Sequence, residues 1–116
     1  SSSRNVLLLG ACFKENCPDI RNSKSINLAY TLTEYGFNVE ISDYIAFEYG
    51  ILKAGKFIIN KDPNSKKCFA IIICSVAHNK YKKWSVDFWE SLKEDKNSLL
   101  VDVKDTIPRT LSPMRF

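Results

Sequence analysis

Lys14, Asp19 and Arg21 share one polar stretch, residues 11–22, between an apolar run that ends at Gly10 and Ser23, a residue suited to cap a helix. Chemistry of that kind suits an anion. An arginine offers planar two-pronged donation, a lysine a mobile point charge, and a helix start adds partial positive charge of its own. Pro18 stiffens the stretch, and Asp19 can orient Arg21 or the backbone donors of the loop. Two readings stand side by side. In one, Lys14 and Arg21 together hold a phosphate; in the other, Asp19 and Arg21 form a loop-stabilising ion pair while Lys14 is solvated.

The remaining reactive side chains point to less. Cys12, Cys17, Cys68 and Cys74 lie five and six residues apart within each pair, spacings foreign to zinc knuckles, and His78 is the one imidazole available to join them. Cys68 begins an apolar run and Cys74 ends it, so both read as buried thiols behaving as small hydrophobes. No metal role is expected. Cys12 and Cys17 lie in the polar stretch, but no histidine is near them in sequence to activate either as a nucleophile. His78 reads as structural, bonded to loop backbone, rather than as a general base.

These residues need a scaffold, and the chain is the right size for one domain of 116 residues with a single core. Apolar residues make up 45% and charged residues 26%, a globular composition. No apolar run is long enough to cross a bilayer, and the start of the chain carries no signal peptide, so the cytoplasm is the expected compartment and disulfides are not expected. The net charge of +4 is spread along the chain. Its densest basic stretch, Lys80 to Trp84, reads as a solvated loop or helix start with Trp84 turned inward. It is too short a footprint for nucleic acid.

Asn5 to Gly10 and Phe69 to Cys74 are continuous apolar runs, as expected of parallel strands buried on both faces. Ser23 begins a helix to about Tyr35, with Ile26, Ala29, Leu32 and Thr33 on one face and Gly36 as the stop. Asn38 to Asp43 alternates as a strand, Tyr44 to Gly50 reads as a short helix, and Lys56 to Asn60 as a small strand before a turn. Trp84, Phe88 and Leu92 fall on one helical face, Ser98 to Val103 forms a last strand, and the tail from Lys104 reads as irregular. The alternation predicts an α/β fold, a Rossmann-like three-layer sandwich with a mainly parallel sheet. It lacks the G-x-G-x-x-G fingerprint, because Gly10 is followed by Ala11, Cys12 and Phe13.

The run from Gly10 to Asp43 resembles the UDP-glucose and GDP-mannose dehydrogenase family, at the start of its third, carboxyl-terminal domain. The family pattern G-x-x-F-K-x-x-x-x-D-x-R-x-S is met by Gly10, Phe13, Lys14, Asp19, Arg21 and Ser23. The filling Glu15-Asn16-Cys17-Pro18 resembles the branch that oxidises UDP-N-acetylhexosamines for bacterial surface polysaccharides. Ile71 to Tyr81 resembles the family strand ending in A-x-A-H, and Leu99 to Ile107 its last core strand.

The resemblance implies an enzyme that oxidises the 6-hydroxyl of a nucleotide sugar to a carboxylate in two hydride transfers to NAD. A cysteine from an absent glycine-rich segment would carry the covalent thiohemiacetal and thioester, so no catalytic residue is expected in this chain and the fragment alone should be inactive. An absent amino-terminal domain binds most of the NAD, a central helical domain dimerises, and residues 1–116 close over the UDP-sugar. By position, Phe13, Lys14 and Lys104 match residues that contact the sugar nucleotide, and Arg21 the arginine that reaches the NAD. Lys104 stands where many members carry arginine, Ser75 where alanine is usual, and the proline that commonly follows Asp43 is missing. The alternatives are a free-standing UDP-sugar-binding module without redox activity and an assembly domain.

Overall fold

Val6, Leu7, Leu8 and Leu9 have no exposed surface, because the strand they form is central to its sheet and covered on both sides. The computed structural model describes residues 3–12, 14–21 and 23–115. In chain order these form β1 (Asn5–Leu9), α1 (Lys24–Glu34), β2 (Asn38–Ser42), α2 (Tyr44–Glu48), β3 (Lys53–Ala54) and β4 (Phe57–Asn60). Then follow β5 (Ile71–Cys74), α3 (Asn79–Lys82), α4 (Val86–Leu92), β6 (Leu99–Asp102), a 3-10 turn (Arg109–Leu111) and β7 (Met114–Arg115).

The seven strands form one sheet in the order β3-β4-β2-β1-β5-β6-β7. Only β3 runs antiparallel to its neighbour. Alternation along β1 divides the core: Val6 and Leu8 pack beneath α1 with Ala29, Ile41 and Ile73, while Leu7 and Leu9 pack beneath α4 with Trp89, Leu92 and Leu100. The result is the Rossmann-like three-layer sandwich. Ser23 caps α1 by accepting the Ile26 N–H at 3.4 Å, and Gly36, at φ +89°, ends the turn that follows.

The chain leaves β1 towards β2 on one side and returns to β5 on the other, so β1 and β5 flank the topological switch point where such sheets open a crevice. Gly10 lies at that crevice with φ +102°. A Cβ added there would stand 2.6 Å from Cβ of Val76, on the turn leaving β5. Gly10→Ala should therefore destabilise the domain by about 3 kcal/mol, from a left-handed backbone plus overpacking. A urea unfolding midpoint equal to that of the parent would contradict this.

Three expectations need correction. Cys68 is exposed, because it ends the exposed stretch 64–68 and burial begins only at Phe69. The buried face of α4 is Trp89 and Leu92 rather than Trp84 and Phe88. Its cap is Ser85, which accepts the Phe88 N–H at 3.1 Å, so the helix starts beyond Trp84 and leaves Phe88 38% exposed. The tail is not irregular: β7 adds a parallel strand to β6.

Candidate functional site

The carboxyl edges of β1, β5 and β6 converge on a cavity of about 370 Å³ lined by Lys14, Glu15, Ser75, Val76, Ala77, Lys82 and Lys104. Lys14 comes from the turn after β1, Ser75 to Ala77 from the turn after β5, Lys82 from α3 and Lys104 from the turn after β6. Three lysines face one glutamate, whose Oε2 lies 3.3 Å from Nζ of Lys82, so the cavity keeps a positive surplus. A neighbouring cavity of about 440 Å³ shares Ser75, Val76 and Lys104 and extends along α1 past Lys24, Ser25 and Leu28. A double-lobed, cationic crevice at a switch point suits a ligand with phosphates in one part and a neutral group in the other.

The structure brings Lys14 and Lys104 together and leaves Arg21 elsewhere. Arg21 lines a separate open hollow with Cys17, Pro18, Asp19, Ile20 and Ile51. Its Nε and Nη2 each donate to the Asp19 carboxylate at 3.0 Å, and its backbone N–H donates to the same group at 2.9 Å. The hydrogen bonds from Arg21 hold Asp19 below the ordinary carboxylate value. This is the loop-stabilising pair, with a guanidinium that is still 85% exposed. Phe13 lies outside the described residues.

Beneath the Lys14 turn is a buried cluster that no local sequence pattern announces. Asp43, the cap of α2, accepts N–H groups from Ala46 (3.0 Å), Ala11 (2.7 Å) and Cys12 (3.1 Å). Nε2 of His78 lies 3.0 Å from the same carboxylate, while Nδ1 accepts the Asn16 N–H at 2.8 Å. The ring proton of His78 therefore sits on Nε2 and points at Asp43. Asn16, at φ +54°, also accepts the Asn79 N–H through Oδ1 at 3.1 Å. One carboxylate and one imidazole thus tie together the exits of β1, β2 and β5, with Lys14 between the tied residues Cys12 and Asn16.

Burial alone would raise the Asp43 carboxyl, but the hydrogen bonds from His78 and from the Ala46 and Ala11 N–H groups outweigh it and hold it down to about 2. The sulfur of Cys12, a carboxylate oxygen of Asp43 and a ring nitrogen of His78 lie within 4.8 Å of one another. That donor set does not suit a metal. Both imidazole nitrogens and both carboxylate oxygens are already engaged, and burial, then the charge of Asp43, push the Cys12 thiol far up. The same push removes Cys12 as a nucleophile. Burial likewise raises the Cys74 thiol to about 12.

The turn after β1 also fails to fit a dinucleotide pyrophosphate. Such a ligand needs free backbone N–H groups and close approach. Here Gly10 donates to the Ser42 carbonyl at 2.9 Å, Ala11 and Cys12 donate to Asp43, and Val76 crowds the glycine. Those three amides are therefore not available to a bound phosphate.

A doubly covered parallel sheet with a lysine-lined crevice at its switch point defines a Rossmann-like binding domain for a phosphate-bearing ligand. A family model described as UDP-glucose/GDP-mannose dehydrogenase family, UDP binding domain, matches residues 7–109. The chain belongs to that family. It is 32% identical over 117 residues to a UDP-N-acetyl-D-glucosamine 6-dehydrogenase of Salmonella typhi, covering 96% of this chain and 26% of that protein. It is 34% identical over 103 residues to protein CapL of Staphylococcus aureus, covering 88% of this chain and 23% of that protein.

Among solved structures, the UDP-N-acetyl-mannosamine dehydrogenase Cap5O from S. aureus matches with a TM-score of 0.70 at 18% identity, over 92% of this chain and 23% of that one. A UDP-glucose dehydrogenase from Pyrobaculum islandicum matches at 0.64 and 23% identity, over 97% of this chain and 24% of that one. These likenesses carry the fold. The chain spans about a quarter of the length of the curated relatives it matches.

Proposed function

We propose that this chain is the carboxyl-terminal, sugar-nucleotide-binding domain of an NAD-dependent nucleotide-sugar 6-dehydrogenase, turning a UDP-sugar into a UDP-uronate for surface polysaccharide. The relatives named for UDP-N-acetylhexosamines support that branch. The observation that carries the reading is the cavity where Lys14, Lys82 and Lys104 converge, inside the segment matched by the UDP-binding family model.

In this reading Lys14 and Lys104 neutralise the diphosphate, and Phe13, with its place in the family pattern, contacts the same ligand. The second lobe along α1 takes the neutral part. NAD, bound mainly by the absent amino-terminal domain, accepts the hydride, and Arg21 is the exposed cation available to reach it. The carbon chemistry belongs to a cysteine outside this chain. The full enzyme works in the cytoplasm as a homo-oligomer.

Calorimetry on the chain with UDP, with uridine as control, tests the reading. Binding is expected to be weak, at about millimolar affinity, because the missing domains complete the site, and to vanish with uridine. Absence of heat with UDP would overturn it. Tight stoichiometric binding of a UDP-sugar would favour the free-standing module. In the full-length enzyme, Arg21→Ala should raise the Michaelis constant for NAD about tenfold and leave that for the UDP-sugar unchanged. A change in the sugar-nucleotide constant alone would reverse the assignment.

A further inference from the structure

Arg115 lies beyond the segment matched by the family model, yet it grips the loop that carries Lys104. Asp102, at the end of β6, has a fully buried side chain. Its carboxylate accepts the Thr106 N–H at 2.8 Å and the Ile107 N–H at 2.8 Å, which folds the chain back around it. Arg115 completes the arrangement. Nη1 donates to Asp102 at 2.7 Å and also to Asp105, and Nη2 donates to the Ile107 carbonyl at 2.6 Å. One guanidinium therefore holds residues on both shoulders of Lys104, in a loop where Asp105 takes φ +59°.

The strand pairing aims Arg115 at this task, because β7 runs parallel to β6 with Arg115 opposite Asp102. Lys104 and Arg115 also line one cavity, and Lys104 lines both lobes of the ligand crevice. A lysine side chain is long and mobile, so a fixed loop beneath it decides where its charge is presented.

We infer that Arg115 is a positioning residue for the ligand site, acting through Lys104 by clamping the 103–107 loop around Asp102. The inference rests on the sugar-nucleotide reading above. Without the guanidinium the buried carboxylate keeps two backbone donors but loses its cation and its tie to Ile107.

The test is an amide NMR titration of the chain with UDP, combined with hydrogen exchange, on Lys104→Ala, Arg115→Met and the double variant. Arg115→Met should weaken UDP about fivefold and Lys104→Ala about tenfold, and the double variant should be no weaker than Lys104→Ala. Exchange at the Thr106 and Ile107 amides should quicken about tenfold in Arg115→Met, with Leu8 and Ile72 in the central strands unchanged. Arg115→Lys, which keeps the countercharge of Asp102 and its fold, should fall between parent and Arg115→Met in both readouts.

Additive losses in the double variant would overturn the inference, since they would place the effect of Arg115 outside Lys104. So would unaltered affinity in Arg115→Met while Lys104→Ala still weakens UDP. Failure of the parent chain to bind UDP would sink the sugar-nucleotide reading instead, and exchange at Thr106 and Ile107 would report the clamp by itself.

Discussion

Asp43→Ala should cost the domain about 4 kcal/mol, a large part of the stability of an ordinary domain of this size. The carboxylate is buried and receives three backbone N–H groups as well as the His78 ring. Removing it orphans donors on the exits of β1 and β5 and strips the cap from α2. Asn does not rescue the site. Both oxygens receive backbone N–H groups, so either flip of the amide turns its NH₂ towards a donor.

A pH signature separates this from simple cavity formation. The carboxyl is held at about 2 in the folded chain against an ordinary 3.8, so its contribution is complete above pH 3.8 and is lost as pH falls through about 2. The difference amounts to about 2 kcal/mol. Urea unfolding between pH 4 and pH 2 should show this loss in the parent and not in Asp43→Asn. Parallel pH curves for the two would refute the argument.

The second large effect is on binding. On the proposed reading, Lys14→Ala and Lys104→Ala should each weaken UDP about tenfold, and the double variant about hundredfold, as each would remove one charge-assisted contact to the diphosphate. Lys53→Ala, on the edge strand at the far side of the sheet, should change nothing and so controls for overall charge. Titration of each variant with UDP decides the matter. If Lys53→Ala weakened UDP as much as Lys14→Ala, the lysine-lined cavity would have no special role.

What could be read from sequence followed the range of the interactions. β1 and β5 were legible because a strand buried on both faces must be apolar at every position, and α1 because Ser23 and Gly36 mark its ends locally. The Asp43–His78 strut joins residues 35 apart, and the Asp102–Arg115 clamp depends on a two-residue strand whose pairing has no signature of its own. Trp84 does turn inward, partly buried against the same cluster as Trp89, but the cap at Ser85 places it before the helix and leaves the fully buried position to Trp89. For the site, Lys14 was a candidate from its place in the polar stretch as well as from the family pattern, and Lys104 only from the resemblance that includes the last core strand. Lys82 was hidden in a basic cluster that reads as solvated, and the separation of Arg21 from Lys14 follows from its pairing with Asp19.

The Asp43 carboxylate has one more implication. In occupying the amides of Ala11 and Cys12 it acts as an anion the polypeptide provides for itself, seated permanently where related folds receive a foreign one. A protein joining this domain to a dinucleotide-binding neighbour of like architecture would hold one open cradle and one plugged cradle. Each nucleotide would then find its own domain by availability of main-chain donors, before any side chain discriminates between bases.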